Sequence, residues 1–130
     1  GAANAGAEPR ALIVEPNQNT GATLRKLLAR HNIEIMATSS TVDVFHSVRA
    51  LPLHAVAIRH DLPEIPGLEV CRLIRNARGL DTLPLFLYDG EGLDPHIKGT
   101  GITKWLPSSP SLLTEIVIEI KRAAEVGRAK

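Results

Sequence analysis

Short hydrophobic runs alternate with longer amphipathic stretches along most of the chain. The hydrophobic runs predict strands at residues 11–14, 33–37, 54–58 and 84–88 and a weaker fifth strand at 101–106. Between them, apolar residues recur at helical spacing and predict helices at 20–31, 67–78 and 111–124. A further helix, with cap candidates at 39–41, carries Val44, Phe45 and Val48. The segment 89–101 is rich in glycine and contains Pro95, so any helix there is expected to be short.

This alternation predicts the fold class. The first, third and fourth predicted strands are hydrophobic throughout, as expected for strands that are covered on both faces. Five strands in alternation with about five helices favour an α/β domain, with a parallel sheet between two layers of helices. We expect a single doubly wound, flavodoxin-like (βα)5 domain with strand order 2-1-3-4-5. We expect residues 10–124 to form this domain, with a flexible linker or tag remnant at 1–9 and a tail at 125–130.

Composition narrows the function classes. The 130 residues carry 15 Lys and Arg against 14 Asp and Glu, and only 3% of them are aromatic. A formal net charge of +1 gives no overall attraction to nucleic acid or to an anionic membrane, and few aromatic residues are available for base stacking. No apolar run approaches the ~20 residues of a membrane span, so a cytoplasmic location is expected.

Cysteine and histidine usage gives no sign of a metal or cofactor. Cys71 is the single cysteine, which excludes an intramolecular disulfide, and it is expected to be a small packing residue. The five histidines lack the spacing of zinc ligands. We therefore expect neither a metal site nor a cofactor.

Candidate chemistry gathers at one edge of the predicted sheet. In an open parallel sheet, ligands bind beyond the carboxyl ends of the strands. Glu15 and Pro16 follow the first strand, residues 59–61 (Arg-His-Asp) follow the third, and Asp89 follows the fourth. Residues 106–109 follow the fifth strand.

The segment 62–75, LPEIPGLEVCRLIR, closely resembles the loop and helix after the third strand of receiver domains, the phosphoacceptor modules of two-component response regulators. Weaker matches are LIVE at 12–15, LPL at 83–85 and Gly101 before the fifth strand. The resemblance covers about residues 10–124.

The resemblance implies a pocket of five groups, most of which are missing here. In the family, two acids hold Mg²⁺, an aspartate accepts the phosphoryl group, and a Ser or Thr and a Lys bind its oxygens. The two acid positions fall on Glu15 and Pro16, the phosphoacceptor position on Arg59, the Ser/Thr position on Asp89 and the lysine position on Ser108. This is the pattern of a degenerate receiver, or pseudo-receiver, since arginine stays protonated and cannot be phosphorylated in the aspartate's place.

The alignment of the fifth strand leaves two registers open. Ser108 takes the lysine position when Trp105 is aligned with the family's switch aromatic, whereas a register anchored on Pro107 puts Leu106 there. Neither register supplies a lysine. Trp105 is a candidate residual switch aromatic or interface anchor, with a packed strand residue as the alternative.

Arg59 and Asp61 carry the competing hypotheses for this pocket. We expect Arg59 to form ion pairs with Glu15 or Asp89, as a tethered stand-in for the missing Mg²⁺, because buried acids without a cation are costly. A slip of two residues would instead make Asp61 the phosphoacceptor. The simpler interpretation of Asp61 is a local cap or ion pair in the loop.

Arg72, Arg75 and Arg78 recur every three residues along the third predicted helix. They form a possible basic stripe for an acidic partner or a phosphate backbone. The alternative, favoured by the neutral net charge, is a solvated helix face opposite the apolar one.

Together these features predict a non-enzymatic, phosphorylation-independent protein–protein interaction module of a two-component-type signalling protein. Its partner would be another protein or a neighbouring domain, not a membrane, and nucleic acid is not favoured. The alternatives are a module that binds a small phosphate-bearing effector such as a cyclic dinucleotide, and a phosphorylatable receiver that uses Asp61. The sequence leaves the oligomeric state open.

Overall fold

A five-stranded parallel sheet forms the centre of the molecule. The computed structural model describes residues 9–77, 79–90 and 101–129. The strands are β1 (Arg10–Val14), β2 (Glu34–Thr38), β3 (Ala55–Arg59), β4 (Leu85–Tyr88) and β5 (Lys104–Leu106). Their order in the sheet is β2-β1-β3-β4-β5, with every neighbouring pair parallel. This confirms the predicted flavodoxin-like topology.

Four helices lie in the described parts of the chain: α1 (Gln18–Ala29), α2 (Thr41–Ala50), α3 (Gly67–Asn76) and α4 (Leu112–Ala129). The Asn17 side chain caps α1 by accepting a hydrogen bond from the Thr20 backbone amide. The Ser40 side chain caps α2 by accepting one from the Asp43 backbone amide. In the described residues, no helix is long and apolar enough to cross a membrane.

Two boundaries differ from the sequence prediction by more than two residues. The last helix continues to Ala129, so the predicted tail from residue 125 is helical as far as that residue. The fifth strand begins at Lys104, three residues later than predicted, and its three residues pair with Phe86–Tyr88 of β4. The short helix considered for 89–101 falls largely on 91–100, and the linker at 1–9 largely on 1–8; both lie outside the described residues.

Each face of the sheet has its own hydrophobic core. Side chains of α1 and α4, such as Leu28 and Ile120, cover one face, and side chains of α2 and α3, such as Val44 and Ile74, cover the other. Alternate residues of β1 and β3 point into the two cores, which explains why these strands are hydrophobic throughout. The carboxyl ends of the strands are left to line one edge of the molecule.

A close backbone contact fixes the loop that follows β3. Gly67, the first residue of α3, donates its amide to the His60 carbonyl at 2.8 Å. A Cβ atom at Gly67 would lie 2.1 Å from the Arg59 carbonyl oxygen, so this approach requires glycine. Glu64 in the same loop accepts a hydrogen bond from the Thr41 amide of α2 at 3.2 Å. The last residue of β3 is therefore held in a defined position.

Candidate functional site

The strand register brings charged residues together at the carboxyl edge of the sheet. Val14 pairs with Ile58, so Glu15 follows β1 beside Arg59, the last residue of β3. Arg59 in turn pairs with Tyr88, and Asp89 follows immediately after β4. An arginine on the central strand thus lies between acids on its two neighbours.

Arg59 forms ion pairs with both acids. Its Nη1 lies 3.3 Å from Glu15 Oε2 and 3.4 Å from Oε1, and its Nη2 lies 3.0 Å from Asp89 Oδ2. The Glu15 side chain is fully buried, whereas those of Arg59 and Asp89 are 30% and 23% exposed. We call Glu15, Arg59 and Asp89 the Arg59 bridge. The sequence predicted that Arg59 would pair with one acid or the other, and the structure has both pairs.

The buried carboxylate of Glu15 has two further donors. The Asn17 amide donates to Oε2 at 2.9 Å, and the Tyr88 hydroxyl donates to Oε1 at 2.9 Å. Burial first, and the negative charge of Glu15 second, raise the pKa of Tyr88 far above its usual range. Tyr88 is therefore a fixed neutral donor to Glu15.

Sequence reasoning assigned Tyr88 to the core and missed this hydrogen bond. The available signal was a tyrosine at the last position of a buried strand, where its hydroxyl needs a partner. The identity of that partner depends on register and could not be read from the sequence.

Asp89 adopts a backbone conformation that is uncommon for a residue with a side chain. Its φ angle is +60°, in the left-handed region that Asp and Asn tolerate better than most residues. Its amide donates to the Leu106 carbonyl at 3.0 Å, which ties the end of β4 to the end of β5. Asp89 therefore contributes both a carboxylate to the Arg59 bridge and the backbone turn that follows β4.

Three other predicted site residues lie around the bridge or beyond β5. Pro16 and Asp61 line an open cleft of about 460 Å³ together with Glu15 and Arg59. Asp61 is exposed, two residues beyond the end of β3. Ser108 is exposed in the turn that follows β5. The structure therefore gathers Pro16 and Asp61 at the bridge and puts no basic side chain at position 108.

Trp105 is half-buried and packs against the core under α2 and α3. The His60 ring meets it edge to face, with centroids 6.2 Å apart. Trp105 also lines a groove of about 280 Å³ with Pro107, Ile118 and Arg122. It is a packed strand residue that also lines a groove, and its role as a switch aromatic or interface anchor stays a prediction.

The predicted basic stripe does not present its arginines alike. Arg72 is exposed and lies 3.6 Å from Glu69 one turn earlier. Arg75 instead bonds to backbone carbonyls: Nη1 to Leu80 at 2.7 Å, Nη2 to Leu83 at 2.8 Å, and Nε and Nη2 to Gly101 at 2.9 and 2.6 Å. Arg78 lies outside the described residues.

These contacts form what we call the Arg75 clasp, Arg75 with the carbonyls of Leu80, Leu83 and Gly101. Burial lowers the pKa of Arg75 below its usual range, against the pull of nearby Cys71 and Asp81. Because its guanidinium donates hydrogen bonds to backbone carbonyls, Arg75 stabilises the fold and is not part of a solvated helix face. Sequence periodicity alone did not distinguish it from Arg72.

No protein-family model and no curated protein sequence matches this chain. Solved structures do. A sensor protein from Polaromonas sp. JS666 is 19% identical, with a TM-score of 0.79 over 91% of this chain and 97% of that one. The receiver domain of response regulator 1452 from Francisella is 11% identical, with a TM-score of 0.79 over 92% and 98%.

The signal receiver domain of a signal transduction histidine kinase from Syntrophus aciditrophicus also has a similar structure. It is 17% identical, with a TM-score of 0.77 over 91% of each chain. The structural neighbours are thus receiver domains of two-component signalling proteins, and this chain has their fold. At these identities the similarity establishes the fold, and the function depends on the site.

Proposed function

We propose that this chain is a pseudo-receiver, a receiver-fold module that takes part in two-component-type signalling through protein–protein contacts and without being phosphorylated. The observation that carries the proposal is the Arg59 bridge. A permanently charged guanidinium occupies the end of β3, the place where the resemblance expects the phosphoacceptor aspartate, and it is paired with the acids on both sides.

The remaining positions support the same conclusion. Pro16 has no side-chain oxygen to bind a cation, and Asp89 presents a negative charge where a hydroxyl would contact a phosphoryl group. Ser108 supplies no cation for that group. The charges of Glu15, Arg59 and Asp89 sum to −1, so a phosphate-bearing effector gains no net attraction at the bridge. We therefore propose that the module acts by binding other proteins through its surface, without an enzymatic step.

One alternative has an observation in its favour. Asp61 is exposed and lines the same cleft as Glu15, so its carboxylate is accessible to a phosphodonor. An Asp61 phosphoacceptor would still lie two residues beyond the strand end, and its cleft would contain the Arg59 cation and a proline in place of a second acid. This makes Asp61 the residue to test.

The test is an NMR titration of the ¹⁵N-labelled protein with Mg²⁺ and beryllofluoride, which mimics a phosphoryl group on aspartate. We expect no change at residues 59–62 in the wild type, and an identical result for Asp61→Asn. Chemical-shift changes centred on Asp61 that disappear in Asp61→Asn would overturn the proposal. In cells, Asp61→Asn should leave the signalling output unchanged.

A further inference from the structure

We propose that the Arg59 guanidinium is the built-in cation of this site, and that it excludes divalent metal ions from the carboxylates at the edge of the sheet. This deepens the proposed function, since a module that works without phosphorylation has no need of Mg²⁺. The inference depends on how the oxygen atoms of the bridge are already used.

The Glu15 carboxylate has no remaining acceptor capacity. A carboxylate offers about four lone-pair sites. Two accept from the Asn17 amide and the Tyr88 hydroxyl, and Arg59 Nη1 faces both oxygens. A metal ion at Glu15 would have to displace a buried hydrogen bond or the guanidinium.

Asp89 is engaged by the same guanidinium through one of its two carboxylate oxygens. Its Oδ2 lies 3.0 Å from Arg59 Nη2, so one guanidinium spans the two carboxylates that a cation would otherwise join. A second cation placed between them would lie within a few ångströms of a permanent positive charge. Repulsion at that distance opposes binding, and the partly buried setting screens it less than bulk water does.

The donor set is also poor for Mg²⁺, which requires several hard oxygen ligands in octahedral geometry. Pro16 contributes none, and among the described residues no group of three or more His, Cys, Asp or Glu side chains is arranged to hold a metal ion. The residues present therefore do not fit the metal that the fold family implies. They fit a guanidinium, whose two amino groups reach one carboxylate each.

Removing the guanidinium reverses this situation. Arg59→Ala leaves Glu15 and Asp89 facing the vacated position, with Asp61 lining the same cleft. Two carboxylates that face the same vacated position without a compensating cation would attract a divalent ion. The prediction is a latent cation site that the arginine keeps closed in the wild type.

The test uses Mn²⁺, which takes the same oxygen ligands and broadens the NMR signals of nearby nuclei. We expect no selective broadening at residues 15–17, 59–61 and 89 in the wild type. Arg59→Ala should bind Mn²⁺ at least about tenfold more tightly, with broadening at those residues. Arg72→Ala, which removes an exposed arginine outside the bridge, should behave as the wild type does.

A second variant confirms that the new site uses Glu15. Arg59→Ala/Glu15→Gln should lose the gain in Mn²⁺ affinity. Selective broadening around Glu15 and Asp89 in the wild type would overturn the inference even if Arg59→Ala fails to fold. A folded Arg59→Ala variant that binds Mn²⁺ no better than the wild type would overturn it as well.

This inference and the proposed function fail separately. Wild-type Mn²⁺ binding without any response to beryllofluoride would remove the built-in cation and leave the phosphorylation-independent function intact. A beryllofluoride response at Asp61 would instead contradict the proposed function itself.

Discussion

Two partly buried arginines hold together different parts of this molecule, and they do so by different chemistry. Arg59 at the carboxyl edge of the sheet pairs with two carboxylates, so its charge is offset by charge. Arg75 at the end of α3 bonds to the carbonyls of Leu80, Leu83 and Gly101. Arg59 thus belongs to a cluster of charged side chains at the candidate site. Arg75 instead provides hydrogen-bond donors for backbone carbonyls of the fold.

The comparison also shows what each arginine requires of the chain around it. Gly67 lets α3 approach the Arg59 carbonyl, and Gly101, with φ of +86°, lets the chain pass under the Arg75 side chain. A Cβ atom at Gly101 would lie 2.5 Å from Arg75 Cγ. Each arginine thus depends on a glycine from another part of the chain. Substitution of each arginine should therefore change the free energy of unfolding by a different amount.

Arg75→Met should give the largest loss of stability. It leaves three carbonyls without their charged donor, and hydrogen bonds to charged groups contribute about 1.5–3 kcal/mol each. Since solvent can reach part of this region, we expect the free energy of unfolding to fall by about 3–4 kcal/mol in urea denaturation at pH 7. Arg72→Met is the matched control and should stay within about 0.5 kcal/mol of the wild type. Equal losses for the two variants would contradict the clasp.

Arg59→Met should cost somewhat less, about 2–3 kcal/mol, because Glu15 remains buried with two neutral donors but without its cation. The control is Arg10→Met, which removes an exposed pair with Glu34 of similar length and should cost less than about 1 kcal/mol. If the Arg59 and Arg10 variants lose the same stability in urea, the bridge is no more than a surface ion pair.

Alkaline pH should affect the two regions in sequence. Burial raises the pKa of Cys71, one turn before Arg75, to about 12, and raises that of Tyr88 in the Arg59 region still further. Both groups are neutral in the folded protein but ionise earlier in the unfolded chain, near pH 8.5 for Cys and pH 10 for Tyr. Their contribution to stability is complete below those values and is lost as the pH rises.

The loss from Cys71 should be on the order of 1 kcal/mol by pH 9.5, with Tyr88 adding to it above about pH 10. Urea denaturation from pH 7 to 10.5 measures it. Cys71→Ala should flatten the early part of the pH dependence and Tyr88→Phe the later part. An unchanged slope in Cys71→Ala between pH 8.5 and 9.5 would show that the thiol is not the group responsible.

Asp89→Asn should give the smallest effect, about 0.5–1 kcal/mol, because Asn accepts the left-handed backbone and only the charge is lost. Asp89→Ala should cost more, since it also loses the side chain that suits this conformation. These differences are measurable by thermal denaturation. A loss for Asp89→Asn as large as that for Arg59→Met would mean that Asp89, and not buried Glu15, dominates the bridge.

The contrast between the two arginines also explains how far the sequence could be read. The positions of strands and helices followed from periodicity, because hydrophobic spacing fixes which faces are buried. The strand order followed from the doubly wound topology that alternating strands and helices favour. The Arg59 pairs were predictable because parallel strands align their ends, so charged residues at those ends become neighbours.

The Arg75 clasp was not predictable in the same way. Its acceptors are backbone carbonyls, which every residue carries, and their positions depend on how the chain turns after α3 and re-enters before β5. The Tyr88 hydroxyl was missed for a related reason, since hydrophobic patterning reports on its ring and not on its polar end.

Arg59 and Glu15 should act as one unit in stabilising the carboxyl edge of the sheet, and a double-mutant cycle measures this. Urea denaturation of Arg59→Met, Glu15→Gln and the double variant gives the coupling free energy between the two side chains. We predict a coupling of about 2 kcal/mol. The double variant should then lose less unfolding free energy than the sum of the losses in the two single variants. A coupling below about 0.5 kcal/mol would show that the two side chains act independently and that Arg59 does not compensate the buried Glu15 charge.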